Sequence, residues 1–223
     1  ARSEALRRLA AYTSDLVAAK RATPGEDVIS ALTTAADEHG RLTETEVLSM
    51  IFLLLVAGYE TTVGLIGLGA YTLLRHPDQL ELLRERPELL DVALEELLRH
   101  DSPVELATWR FAVEPMEIGG ERVPAWRPIL VALGAANRDP ERFPAAGGLD
   151  ITRADNAHLS FGHGPHYCLG AMLARVVGRA ALEAIVRRLP GLALAVPPER
   201  LRWRSSLTVR GPIHLPVTFT TAG

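Results

Sequence analysis

Apolar positions open the chain at mixed three- and four-residue spacing. Leu6, Leu9, Ala10, Leu16 and Val17 predict a helix from Ser3 to Arg21. Thr23-Pro24-Gly25-Glu26 breaks it, and a second short helix is predicted from Asp27 to His39, ended by Gly40. Thr43-Glu44-Thr45-Glu46 fits a capping box, in which a hydroxyl and a carboxylate three residues apart satisfy the first free N–H groups of a helix. The helix it opens runs to about Arg75. Apolar on nearly every side, it is predicted to pass through the core. His76-Pro77-Asp78 ends it, and Pro77 to Arg84 and Pro87 to Arg99 read as two more helices.

After Pro103 the period changes. Short β-prone runs at Thr108 to Val113, Met116 to Ile118 and Ile129 to Leu133 alternate with Gly119-Gly120 and Pro124. Asn137 to Ala157 is polar, rich in turn residues and without a period, a length of loop that is usually functional or packed on itself. Leu169 to Leu189 is a strong amphipathic helix. The tail from Leu192 to Phe219 reads as short strands parted by Pro197-Pro198 and Gly211-Pro212. The fold class is mainly α with small β-sheets, read as a single domain over residues 1–223.

Composition narrows the function. The chain has 223 residues, 48% of them hydrophobic, enough to bury a sizeable core. A net charge of -3, with no basic run among aromatics, argues against nucleic acid. No secretory signal is visible, because Ala1-Arg2-Ser3-Glu4 leads into a charged amphipathic stretch. The apolar runs Ile51 to Ala57 and Val63 to Leu74 are interrupted by Tyr59-Glu60-Thr61-Thr62, so neither reaches the ~20 residues of a membrane span. Lys20 is the only lysine, a bias that with abundant alanine suggests a GC-rich bacterial genome. One cysteine and no signal fit a reducing cytoplasm.

That cysteine lies in Phe161-Gly162-His163-Gly164-Pro165-His166-Tyr167-Cys168-Leu169-Gly170. It closes a glycine-rich loop and opens an apolar helix, where backbone N–H groups and the helix dipole favour a thiolate. Gly162, Gly164 and Gly170 let the loop turn and let something flat approach the backbone. His166, two residues before the sulfur, could reach an anionic group on the same ligand. The alternative is a buried, inert cysteine behind a loop that leads into a helix. A second oddity is Ala57-Gly58-Tyr59-Glu60-Thr61-Thr62 in mid-helix, where a glycine, an acid and two threonines weaken the helix. Thr61 could bond a carbonyl one turn back and bend the helix. Alternatively, Ala57 and Gly58 leave room for a small molecule beside a carboxylate, Glu60, and a hydroxyl, Thr61, suited to proton delivery. Glu96 and Arg99, three residues apart, share a helix face and can pair.

The cysteine string resembles the cysteine-ligand loop of the cytochrome P-450 family, F-G-x-G-x-H-x-C-x-G, at all its fixed positions. The mid-helix string resembles that family's A-G-x-[DE]-T-[TS] oxygen-activating motif. E-x-x-R, R-F-A, A-N-R-D-P and a terminal R-G-P-I-H-L-P-V-T-F stretch follow in family order over nearly the whole chain. The resemblance implies the C-terminal half of the cytochrome P-450 fold, with the N-terminal half absent, since the family's fold is about twice as long. It implies haem b with Cys168 on the iron, and a soluble bacterial monooxygenase that activates O2 and hydroxylates or epoxidises a small hydrophobic substrate. A thiolate ligand favours O–O cleavage. Ala57, Phe161, Gly162 and Gly170 would border the haem, and Arg110 and His166 would meet its propionates. Thr61 would be the alcohol and Glu60 the acid of proton delivery. Glu96 and Arg99 would tie their helix to the polar loop before the cysteine. Val56 to Tyr59, Pro103 to Ala107 and Leu207 to Val209 would line the pocket. His158 and His163 are read as loop-packing or surface residues.

One departure concerns the third partner of the Glu96–Arg99 pair. Asp139-Pro140-Glu141-Arg142-Phe143 looks like the segment that supplies it, yet counting back from Leu149-Asp150-Ile151-Thr152-Arg153 puts Ala146-Gly147-Gly148 there. Arg175, Arg179, Arg187 and Arg188 are expected to offer positive charge to an acidic ferredoxin, itself fed by a ferredoxin reductase, although some could pair with Glu183. The alternatives to hydroxylation are oxidative coupling without oxygen insertion, favoured less because Glu60-Thr61 is intact, and a truncated, non-catalytic fragment. The fragment reading includes self-association through surface that a missing half would leave bare.

Overall fold

The structure, a computed structural model, describes residues 2–39 and 42–220. The chain packs as two compact units, Ala1–Glu60 and Thr61–Gly223. The first holds α1 (Arg2–Ala22), α2 (Val28–His39) and the beginning of α3 (Glu44–Arg75). Its core is Val17, Ala36, Val47 and Ile51. Asp27 caps α2: its carboxylate accepts from the N–H groups of Ile29 and Ser30 at 3.1 and 3.0 Å. The sole lysine, Lys20, bonds the same carboxylate at 2.7 Å and, together with the cap bonds, pulls its pKa down to about 2. The capping box at Thr43 forms in both directions. Thr43 N–H donates to Glu46 Oε2 at 2.7 Å, and Glu46 N–H donates to Thr43 Oγ1 at 3.3 Å. Gly40, expected to end α2, lies outside the described residues.

The second unit begins within α3 and continues with α4 (Pro77–Glu85), a 3-10 turn (Pro87–Leu89) and α5 (Leu90–His100). Three two-residue to three-residue antiparallel pairings follow. β1 (Arg110–Phe111) pairs with β4 (Pro128–Ile129), and β2 (Met116–Ile118) pairs with β3 (Glu121–Val123). α6 (Leu133–Ala136) precedes a long stretch without helix or strand, broken only by a 3-10 turn at Gly164–His166. α7 (Ala171–Arg188) is followed by β5 (Ala193–Leu194), which pairs with β6 (Val217–Thr218).

The core of this unit joins Leu65 and Leu73 of α3, Leu80 and Leu83 of α4, and Leu90, Leu94, Leu97 and Leu98 of α5 to Leu182 and Val186 of α7. Gly178 is what lets α7 approach so closely. A Cβ there would stand 2.9 Å from Leu94 Cδ1 and 3.0 Å from Leu65 Cδ2.

The expected path of α3 through the core holds for only part of its length. From Leu68 to Leu73 its inward side is sealed, but Leu53, Val56, Tyr59 and Val63 are exposed. Apolar character on every side has not meant burial on every side. Nor do the polar residues at its middle break the helix: α3 is one continuous run, long and apolar enough to cross a membrane by length and composition. The expectation of two short apolar halves is corrected to that extent.

Candidate functional site

The site is built around two anchors in the second unit, the α5 C-terminus and the start of α7. Glu96 and Arg99 lie one turn apart on α5 and are fully buried. All five N–H donors of Arg99 are satisfied. Two meet Glu96, Nε to Oε2 at 2.7 Å and Nη2 to Oε1 at 2.8 Å. The other three meet the carbonyls of Asn137 (2.9 Å), Ala146 (2.9 Å) and Gly148 (3.0 Å). Glu96 in turn accepts from Arg153 Nε at 3.1 Å, Asn156 Nδ2 at 3.0 Å and the Asp150 N–H at 2.9 Å. The pair therefore organises the polar loop from 137 to 156, which has no periodic structure of its own.

The third partner is Arg153, from the Leu149-Asp150-Ile151-Thr152-Arg153 run. Arg142 lies elsewhere and forks onto Asp155 at 2.8 and 3.0 Å. Ala146-Gly147-Gly148 contributes backbone carbonyls where a side chain was sought. Asn137, also wholly buried, carries the order forward to the cysteine loop. Its amide donates to Ser160 Oγ at 2.8 Å and accepts from the Leu159 N–H at 2.7 Å, while Ser160 Oγ–H donates to the Leu98 carbonyl of α5 at 2.7 Å. Sequence reasoning noted Asn137 and Arg153 only as parts of strings; Ser160 it missed. Their one signal was polarity in a segment that had to be buried.

The loop from Phe161 to Gly170 is closed by a hydrogen bond from Cys168 N–H to the Phe161 carbonyl at 2.8 Å. Gly162 and Gly164 sit at φ 75° and 70°, a left-handed conformation that side chains resist. Cys168 is exposed, three residues before the first residue of α7. Leu169 and Met172 beside it are 83% and 73% exposed, so the sulfur stands on an open apolar surface and is not a packed core thiol. Among the described residues no three His, Cys, Asp or Glu gather as metal ligands. A lone sulfur suits a metal whose other ligands come with it, and a flat apolar macrocycle fits the bare glycine backbone and the apolar side chains around it. The chain thus fits haem in its donor and its surroundings.

His166 and His163 are exposed on this loop. His158 is packed, its Nε2 3.1 Å from Glu95 Oε2. Arg110 leads β1, and its Nη1 reaches the Thr108 hydroxyl at 2.6 Å and the carbonyls of Thr108 and Trp109 at 3.1 and 3.2 Å. Pro103 to Ala107 and Leu207 to Val209 are brought together: Val104 bridges Val209, and Glu105 N–H donates to the Thr208 carbonyl at 3.0 Å. Their junction lies against Gly64 of α3, where a Cβ would meet Pro103 Cβ at 2.9 Å. Thr61, half-buried, precedes Gly64 by one helical turn and so shares its face. Ala57 and Glu60 are exposed on the part of α3 that belongs to the first unit.

The arginines of α7 are largely paired, in part with Glu183 as the sequence allowed and otherwise with acids of α5. Arg175 forks onto Glu95 at 2.7 and 2.8 Å, Arg179 pairs with Asp91 at 2.9 Å, and Arg187 pairs with Glu183 at 3.1 Å. Acids of α5 and of α7 itself thereby balance most of the positive charge that sequence alone assigned to this face.

The cytochrome P450 family model matches residues 3–190. The chain is 50% identical over 214 residues to the cytochrome P450 monooxygenase PikC of Streptomyces venezuelae, across 96% of this chain and 51% of that protein. It is 47% identical to the 6-deoxyerythronolide B hydroxylase of Saccharopolyspora erythraea, across 97% and 54%. Among solved structures, the P450 enzyme CxnD, described as forming a C–S bond in chuangxinmycin biosynthesis, superposes with a TM-score of 0.88 at 42% identity, across 95% and 52%. The chain spans about half the length of the relatives it matches.

Proposed function

This chain belongs to the cytochrome P450 family, and on that premise we propose that it is the haem-ligating part of a bacterial monooxygenase that hydroxylates or epoxidises a small hydrophobic substrate. The observation that carries the reading is an exposed Cys168 sulfur on a glycine loop closed at Phe161 and running into α7. Haem b, when bound, supplies reductive activation of O2 and transfer of one oxygen atom. The residues of this chain do the rest. Cys168 would bind the iron, with α7 behind it to favour the thiolate. Arg110 would turn its fork from the Thr108 oxygens to a propionate, and His166 would meet the other. Phe161, Gly162 and Gly170 would border the ring on the cysteine side, and Ala57 would leave space on α3. Thr61 would hold a proton on its hydroxyl, and Glu60 would resupply it from solvent. Electrons would arrive from a ferredoxin and its reductase, in the bacterial cytoplasm.

PikC and the hydroxylase from S. erythraea carry oxygen-inserting names, which favours hydroxylation. The likeness to CxnD supports a second reading, oxidative bond formation without oxygen insertion. The test is spectroscopic. In the haem-loaded protein, the reduced carbonyl complex should show the red-shifted Soret band of thiolate ligation, and Cys168→Ala should abolish it. An unchanged band in the variant would overturn the assignment.

A further inference from the structure

Glu95 has no place in the pair formed by its neighbour Glu96, yet it faces the cysteine loop and holds both of its flanks. Arg175 of α7 donates Nε to Glu95 Oε1 at 2.7 Å and Nη2 to Oε2 at 2.8 Å. The same guanidinium lies over the Phe161 ring, 4.5 Å from its centroid, and its Nη1 is 3.4 Å from the Tyr167 hydroxyl. On the other flank, the Ser160 N–H donates to His158 Nδ1 at 3.2 Å. The ring proton of a neutral His158 therefore sits on Nε2, which faces Glu95 Oε2 at 3.1 Å. One carboxylate thus fixes a histidine tautomer upstream of the loop and an arginine fork stacked on its first residue. Phe161 is also the residue whose carbonyl receives the Cys168 N–H.

We propose that Glu95 is a positioning residue for the cysteine loop, acting through His158 and Arg175 to hold Phe161 and, by its carbonyl, the backbone of Cys168. The inference rests on reading that loop as the ligand loop. An acid is required because the two oxygens must accept three hydrogen bonds from three donor atoms on two residues. A glutamine offers one acceptor oxygen and would turn an N–H toward Arg175 in either orientation, and toward His158 as well in one of them. Arginine is required because only a planar fork can pair with a carboxylate and stack on a ring at once.

Hydrogen exchange in the protein carrying this sequence, with and without added haem, tests it. Three amides report on the loop: Gly162, Tyr167 and Cys168, which donate to Leu159, Gly164 and Phe161. Asp101, which donates to Leu97, reports on α5. Glu95→Gln and, separately, Arg175→Lys should speed exchange of the three loop amides about tenfold and leave Asp101 unchanged. Loop exchange at the wild-type rate in both variants overturns the proposal. So does equal acceleration at Asp101 and the loop in both, which would make the cluster a general stability element. Because the comparison without haem needs no bound ligand, its outcome is independent of the Cys168→Ala spectrum that tests the ligand itself.

Discussion

Arg99 and Glu96 form a buried, doubly hydrogen-bonded ion pair at 2.7 and 2.8 Å, and every remaining donor of Arg99 goes to the backbone of a loop about forty to fifty residues further along the chain. The charge needs those carbonyls, since neither the Arg99 nor the Glu96 side chain is exposed to water.

Removing one member should therefore cost more than removing a surface pair. Arg99→Ala is expected to lower unfolding stability by about 3–5 kcal/mol, because it leaves the buried Glu96 with Arg153 as its one remaining cation and strands the buried carbonyls of Asn137 and Ala146. Arg99→Lys keeps the charge but cannot reproduce five fixed donors, and should fall between the two. Urea unfolding followed by circular dichroism measures both, and a loss below about 1 kcal/mol for the alanine variant would contradict this account.

Gly178 makes a separate packing claim. Gly178→Val should destabilise by about 1–3 kcal/mol, because its side chain must enter space held by the buried Leu94 and Leu65. At Gly58, where a Cβ meets nothing within 4 Å, Gly58→Ala should be neutral or stabilising through helix propensity. Thermal melts of the two variants should shift in opposite directions or differ by several degrees.

Acid should weaken the link between α5 and α7. Burial pushes the Glu95 carboxyl upward, but the hydrogen bonds from His158 and Arg175 outweigh it and bring the pKa to about 2. A carboxyl whose folded pKa lies below its unfolded value adds stability above the unfolded pKa, and that contribution is lost as pH falls from about 4 toward 2. Stability measured across this window should fall less steeply in Glu95→Gln than in the parent. Identical slopes would remove Glu95 from the titrating set.

Thr61→Ala is expected to leave haem binding intact and to divert electrons from product to peroxide, since the hydroxyl that would relay the proton is gone. Product formed per reduced nicotinamide consumed should drop and peroxide should rise. Unchanged coupling would reduce Thr61 to a packing residue of α3.

The exposed side chains of α7 predict how this 223-residue chain behaves by itself. Met172, Leu173 and Val176 are 73%, 66% and 64% exposed on one helical face beside Leu169. A contiguous apolar surface of this kind favours self-association. Sedimentation at increasing concentration should show oligomers, with less than one haem bound per chain. A monomer with one tightly held haem would show that this surface is dispensable.

The sequence by itself determined the helices and the capping box at Thr43. Period, Thr43, Asp27 and the prolines act within a few residues, so α1 to α5 and α7 appear within a few residues of their predicted limits. The string ending at Cys168 was likewise legible, because its glycines and sulfur are all local. Tertiary structure alone decided which polar residues hold that string in place. Arg153 completes the Glu96 site, where sequence left the third partner open between the Arg142 segment and Ala146-Gly147-Gly148, and Glu95 neutralises Arg175 from a helix eighty residues earlier. Which charges meet depends on how α5 lies against α7 and on where an aperiodic loop returns. Those are properties of packing and backbone path, to which no spacing along the chain corresponds. The same holds for α3, whose composition is apolar throughout but whose burial is set by the neighbours that reach it.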